Sequence, residues 1–406
     1  MSSQNSRLWA GAAVVVGLTA LLAGTAPGAA GSRWRNGPPS DPGYFPIAVW
    51  CQDPVNAARF KAAGINCYVA LWQGPTEEQL AALRAAGMPV ICEQNEVGLK
   101  HRNDPVIIGW MHGDEPDNAQ SLGEGKGYGP PVPAGEIVAS YNRIRKADPT
   151  RPVLLNLGQG VAWDNWYGRG VRTNHPEDYP GYIRGCDIAS FDIYPVVHDS
   201  GEVAGNLQFV GRGVDRLVKW TGGKKAVWNC LEASRISNTM VEPTAAQVAS
   251  EAWMAIAHGS RGLIYFVHQF EPRFVEASLL ENPALLAGVT ELNRRIRELA
   301  PVINSPVVAR WGKVSAGRAD ATVTVTARKH AGATWLIAVS EDARPLEVIF
   351  TVRGLKKDAA AAVEWENRAI PVKNGIFNDR LGPWEARIYR LGNNQADRAF
   401  KGQGLL

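Results

Sequence analysis

Ile107-Ile-Gly-Trp-Met-His-Gly-Asp-Glu-Pro-Asp117 decides how the rest of the chain is read. Its first half is an apolar run of strand length. It breaks off in Gly113-Asp114-Glu115-Pro116, where proline has no N–H to give a ladder. A carboxylate pair, Asp114 and Glu115, is thereby stranded at the C-terminal tip of a core strand. In α/β sheets, open or closed, that tip is where ligands bind. A second strand, Ala226-Val-Trp-Asn-Cys-Leu-Glu-Ala-Ser234, carries Glu232 near its end. The expectation is that both tips face each other across one pocket.

Outward from this stretch, strands and helices alternate. Phe45–Cys51, Ile65–Trp72 and Met88–Glu93 precede the Glu115 strand, and Pro152–Leu157, Asp187–Tyr194, Lys225–Glu232 and Gly262–His268 follow it. Helical patterns lie between them: Val55–Ala63 closed by Gly64, Thr76–Ala86 capped by Thr76 and closed by Gly87, Ala134–Ala147, Asn206–Trp220 and Thr244–His258. An amphipathic helix, Pro283–Val302, closes the series. The third helix is weak, at most a short turn near His101–Asp104. This order over residues 44–303 predicts an α/β fold, the (β/α)8 TIM barrel. The rival, a doubly wound open sheet, lacks its glycine fingerprint at the first turn. From Val307 the period changes to two, in Thr322–Ala327, Thr334–Val339, Leu346–Val352 and Ala386–Leu391. That predicts a small C-terminal antiparallel β domain, sandwich-like, over residues 307–394, with a tail at 395–406.

The 406 residues, 45% hydrophobic and 20% charged, allow one large domain and one small one. The net charge of +4 is spread thinly, in pairs such as Lys224-Lys225, which excludes a nucleic-acid partner. At the N-terminus Arg7, an apolar run from Leu8 to Ala23 and small residues through Ala30 read as a signal peptide over residues 1–30. A Pro/Gly-rich leader, residues 31–43, follows. The expectation is a secreted, periplasmic or cell-surface protein without stable membrane insertion once the signal is cleaved. Cys51, Cys67, Cys92, Cys186 and Cys230 read as small buried hydrophobes and show no metal-ligand spacing.

The strand tips together offer Trp50, Gln52, Trp72, Glu93, His112, Asp114, Glu115, Asn156, Gln159, Asp192, Tyr194, Trp228, Glu232, His268 and Gln269. Carboxylates, amides and aromatic faces around one mouth suit a sugar. Hydrolysis of a glycosidic bond needs two carboxyls, one protonated to release the leaving group and one ionised.

This pattern resembles the clan A retaining glycoside hydrolases, (β/α)8 enzymes whose acid/base Glu ends strand four and whose nucleophile Glu ends strand seven. Their strand-four motif is commonly Asn-Glu-Pro; here it is Asp114-Glu115-Pro116. The resemblance implies Glu115 as acid/base and Glu232 as nucleophile. Tyr194, within Ser190-Phe-Asp-Ile-Tyr-Pro195, matches a strand-six tyrosine that steadies the nucleophile. Asp114 replaces the asparagine that binds the sugar 2-hydroxyl. Phe266 and His268 stand where such barrels often carry tryptophan. The implied activity is cleavage of a β-linked oligo- or polysaccharide with retention, without an organic cofactor or metal; the alternative readings are a glycan-binding barrel without catalysis and an inverting barrel glycosidase. Asp114, His112, Tyr194, Asp192, Asn156, Trp228, His268, Trp50, Trp72 and Glu93 are the expected substrate-binding residues.

Overall fold

The computed structural model describes residues 34–355 and 358–392. The expected signal peptide and the tail from residue 395 lie outside them. The barrel staves are β1 (Ile47–Trp50), β2 (Cys67–Val69), β3 (Val90–Glu93), β4 (Ile107–Met111), β5 (Val153–Leu157) and β6 (Ile188–Phe191). A seventh stave follows in two pieces, β7 (Ala226–Val227) and β8 (Asn229–Glu232), and the last is β9 (Leu263–Phe266). All neighbours are parallel, in the order β7-β6-β5-β4-β3-β2-β1-β9-β8. The two ends of that order are consecutive in the chain and separated only by Trp228, so the sheet closes into a TIM barrel. At the break the backbone changes partner: Trp228 N–H donates to Ala189 O at 2.9 Å, and Asn229 N–H to Gly262 O at 3.2 Å.

The staves are apolar nearly throughout because helices cover their outer faces. Helices α1 (Ala57–Ala62), α2 (Glu77–Ala86), α3 (Glu96–Lys100), α4 (Ala134–Ala147), α5 (Tyr179–Ile183), α6 (Gln208–Trp220), α7 (Ala245–His258), α8 (Ser278–Glu281) and α9 (Pro283–Ile303) complete the domain. Their limits follow local chemistry. Thr76 with Gln79, and Thr244 with Gln247, form capping boxes at the starts of α2 and α7. The third helix, weak in the sequence pattern, is the single short turn α3, capped by Asn95.

The C-terminal strands β10 (Gly312–Ala316), β11 (Val323–His330), β12 (Ala333–Ser340), β13 (Leu346–Val352), β14 (Asp358–Val363), β15 (Arg368–Lys373), β16 (Ile376–Leu381) and β17 (Ala386–Leu391) form one antiparallel sheet. Its order is β10-β13-β16-β15-β14-β17-β12-β11, and it curls until the edge strands β10 and β11 approach each other. Phe350, Phe377 and Tyr389 pack inside the curl, with Phe350 and Phe377 stacked at 4.6 Å. The outer face of β12 (Ala333, Trp335, Ile337, Val339) joins the barrel's own apolar core, against α7, while β11 meets both α7 and α9. Among the described residues no helix is long and apolar enough to cross a membrane.

Candidate active site

The turn after β4 is built to hold its acids in place. Glu115 sits at φ +42°, a left-handed conformation that a residue before proline adopts only under strain on the order of 1–3 kcal/mol. The flanking chain holds it there. Asn118 N–H donates to Glu115 O at 3.0 Å and Val132 N–H to Pro116 O at 2.8 Å. Asp117 is fully buried; its carboxylate accepts Gly158 N–H and Tyr179 O–H, each at 2.9 Å.

Two asparagines then position the acids. Asn156 on β5 donates to Asp114 Oδ1 at 3.0 Å, while its own oxygen accepts Ser190 Oγ–H at 2.7 Å and Cys230 S–H at 3.5 Å. Asn118 donates to Glu115 Oε2 at 2.8 Å, while its oxygen accepts the Trp166 indole N–H at 2.9 Å.

Asp192, just beyond β6, faces Glu115 carboxyl to carboxyl. Two carboxyls in contact hold one proton between them. Burial pushes Glu115 well above the usual carboxylate range, and the charges of Asp192 and Asp114 push the same way. Burial also lifts Asp192, to about 7, against the lowering effect of the facing Glu115. The pair therefore retains a proton near neutral pH. Asp192 Oδ1 is buried and has no hydrogen-bond partner among the described residues. Burial, and then the charge of Asp192, raises the pKa of both Tyr194 and Cys230, and Cys230 reaches Asn156 inside the same mouth.

Glu232 is not brought to this group. It is 0% exposed, accepts the Val196 and Val197 N–H groups at 2.7 and 3.0 Å, and faces the carboxyl of Glu251 of α7, whose two buried oxygens have no hydrogen-bond partner among the described residues. Burial raises both carboxyls, Glu232 to about 7. The contacts of Glu232 are with the Val196 and Val197 amides rather than with Glu115, whose side chain takes the Asn118 N–H. The physical reason is local: the chain after Tyr194 folds over the tip of β8 and supplies amides that capture Glu232.

The remaining expected residues spread around the mouth. Glu93, His112 and Asp114 line a cavity of about 780 Å³ beside β4, whose far wall carries Glu136 and Arg143 of α4. His112 is buried and its Nε2 bonds Gly185 O at 2.8 Å; burial lowers its pKa, so it stays neutral. Trp50 is buried at the tip of β1. His268 contacts Gln52 at 3.1 Å and belongs to an aromatic cluster with Phe266, Phe270 and Phe274. Tyr194 packs on Phe266 at 5.5 Å. Trp228 is buried at the break in the seventh stave, its ring against Gly262, where a Cβ would lie 2.6 Å from the indole. It packs inside the wall rather than in the mouth. Trp72, by contrast, is 73% exposed.

Asn118, Phe270 and Phe274 were not singled out from sequence. Phe270 and Phe274 were legible as aromatics in the loop after the last stave. Asn118 gave no signal, since its role depends on Trp166, a distant residue. Trp72, Tyr128, Tyr167, Met240, Phe270 and Phe274 are large, exposed and apolar, and all lie in loops that follow barrel strands. They ring the face onto which Glu115 opens.

No protein-family model and no curated protein matches the chain. Solved structures do. The α-amylase of Geobacillus thermoleovorans, solved with acarbose, matches at TM-score 0.51 and 12% identity, over 86% of this chain and 98% of that one. A candidate α-galactosidase of Bacteroides fragilis matches at TM-score 0.50 and 10% identity, over 86% of this chain and 80% of that one. At these identities the likeness is one of fold.

Proposed function

We propose that this protein is an exported glycoside hydrolase in which Glu115 is the proton donor and Asp192 the second carboxyl. The observation that carries this reading is the facing carboxyls of Glu115 and Asp192 at the open end of a barrel ringed with exposed aromatic side chains. Glycosidic cleavage needs one protonated and one ionised carboxyl, and this pair supplies both. Aromatic faces give pyranose rings apolar platforms, and the acids and amides of the mouth receive the hydroxyls.

The pair favours retention. An inverting enzyme separates its carboxyls by roughly 6.5–9.5 Å to admit water, whereas a retaining one needs only about 5–5.5 Å. A contact pair reaches the smaller spacing by a modest rotation of the Glu115 side chain. Glu115 then gives its proton to the glycosidic oxygen as the anomeric C–O bond breaks. The free oxygen of Asp192 forms an ester with the anomeric carbon. Water cleaves that ester, Glu115 takes up its proton, and Asp192 leaves as carboxylate. Glu232 has no part in these steps.

Incubating the protein with 2-fluoro glycosides of β-linked sugars tests the assignment. Peptide mass spectrometry is expected to find the adduct on Asp192. An adduct on Glu232 would restore the clan A arrangement. Failure to cleave any of a broad panel of aryl glycosides and polysaccharides would remove the hydrolase reading.

A further inference from the structure

We infer that Asn118 and Trp166 form a positioning relay that dictates which oxygen of Glu115 carries the proton. The inference rests on Glu115 being the acid, and extends that role to residues that never touch substrate.

The indole N–H of Trp166 is a donor and cannot accept, so the amide oxygen of Asn118 must face it, at 2.9 Å. That leaves the Asn118 N–H to face Glu115 Oε2, at 2.8 Å. A carboxyl oxygen receiving an N–H cannot present its own proton along the same line. Oε2 is held as acceptor, and Oε1 remains to carry the proton and share it with Asp192. The orientation of a neutral amide thus passes from one loop to the acid of another.

The surroundings are built for this contact. A Cβ on Gly158 would lie 2.7 Å from Asn118 Oδ1, so any larger residue there would displace the amide. A Cβ on Gly168 would lie 2.3 Å from the Trp166 ring, so only glycine lets the indole lie flat on its own loop. Ala119 N–H donates to Gly168 O at 2.8 Å, joining the two loops beside the relay. Trp166 is braced by Trp163 at 6.0 Å and Tyr167 at 4.6 Å. Each feature costs the chain freedom, and all converge on one amide.

The test needs no substrate. Glutamate labelled with ¹³C at the carboxyl is incorporated into the full chain, and the Glu115 signal is assigned by its loss in Glu115→Gln. Trp166→Phe keeps the ring and removes the N–H, freeing the Asn118 amide to turn. Asn118→Ala removes the donor outright. Both are expected to raise the Glu115 titration midpoint by about one pH unit, because the carboxylate loses a hydrogen bond. The alkaline limb of the pH–rate profile should move with it. An unchanged midpoint in both folded variants, even with a lowered Tm, would overturn the relay and leave the contact as packing. Absence of hydrolysis by the wild-type protein would instead strike the proposed function, whatever the midpoint does.

Discussion

The carboxyl groups of Glu115 and Asp192, one from the turn after β4 and the other from the end of β6, face each other, while Glu232 is held by the Val196 and Val197 amides. Which pair does chemistry can be decided by substitution. Asp192→Asn should lower kcat by on the order of 10³-fold on every glycoside, and Glu115→Gln by about 10²–10⁴-fold on substrates with poor leaving groups. With dinitrophenyl glycosides, whose leaving group needs no proton, Glu115→Gln should recover most of its loss and Asp192→Asn none. Glu232→Gln should stay within about tenfold of wild type on all of them.

The pH–rate profile follows from the same pair. Asp192, raised to about 7 by burial, must be ionised to attack, so activity should climb through an acid limb near pH 7. Glu115, raised well above the usual range, must keep its proton, so the alkaline limb should lie higher still. Measuring kcat/KM from pH 4 to 10 checks both limbs. A profile that peaks near pH 4–5 would mean that the pair does not control the rate.

Glu232 and Glu251 should instead govern stability. Both are protonated more readily in the folded state than in the unfolded chain, where each has an ordinary carboxyl pKa. A pKa raised by folding favours the native state below the unfolded value, and that advantage is lost as pH rises through the folded one. The window here runs from 4.5 to about 7 for Glu232. Glu251→Gln gives Glu232 a neutral donor in place of a second acid. It should raise stability at pH 8 by on the order of 2 kcal/mol and flatten the decline of Tm between pH 5 and 8.

His258, at the end of α7, bonds Asp215 of α6 through Nδ1 at 2.9 Å and Glu341 of the β domain through Nε2 at 3.0 Å. Burial alone would lower its pKa, but the two carboxylates carry it from 6.5 up to about 9. The stabilisation is complete below the unfolded value and disappears as pH rises through the folded one. It amounts to at most about 3 kcal/mol. His258→Gln should lower Tm at pH 6 by several degrees and have little effect at pH 10, as calorimetry at the two pH values would show.

Much of the barrel was legible because each stave is an apolar run broken by glycine, proline or a charged tip. Thr76 and Gly87 mark the ends of α2 for the same local reasons that the structure displays. The C-terminal sheet was harder. Strand β14 includes Ala359-Ala-Ala-Ala-Val363, which carries no period-two pattern and is extended only because β15 and β17 pair with it on either side. At the site, alternation along β8 put Cys230 and Glu232 on one face. Cys230 does reach Asn156, but Glu232 is taken by the Val196 and Val197 amides. No reading of one strand reveals what a neighbouring loop will offer its last side chain. Asp192 was visible as a tip residue, and only folding shows that its partner is Glu115.

The outer face of β12 fills part of the barrel's core, and α7 reaches inward through Glu251 and outward through His258. The C-terminal sheet is therefore no detachable cassette. An engineer who trimmed the chain after α9, or grafted another module in its place, would lay bare a greasy wall. The same cut would unseat the helix that braces the seventh stave, so the two halves of this protein must be redesigned as one piece.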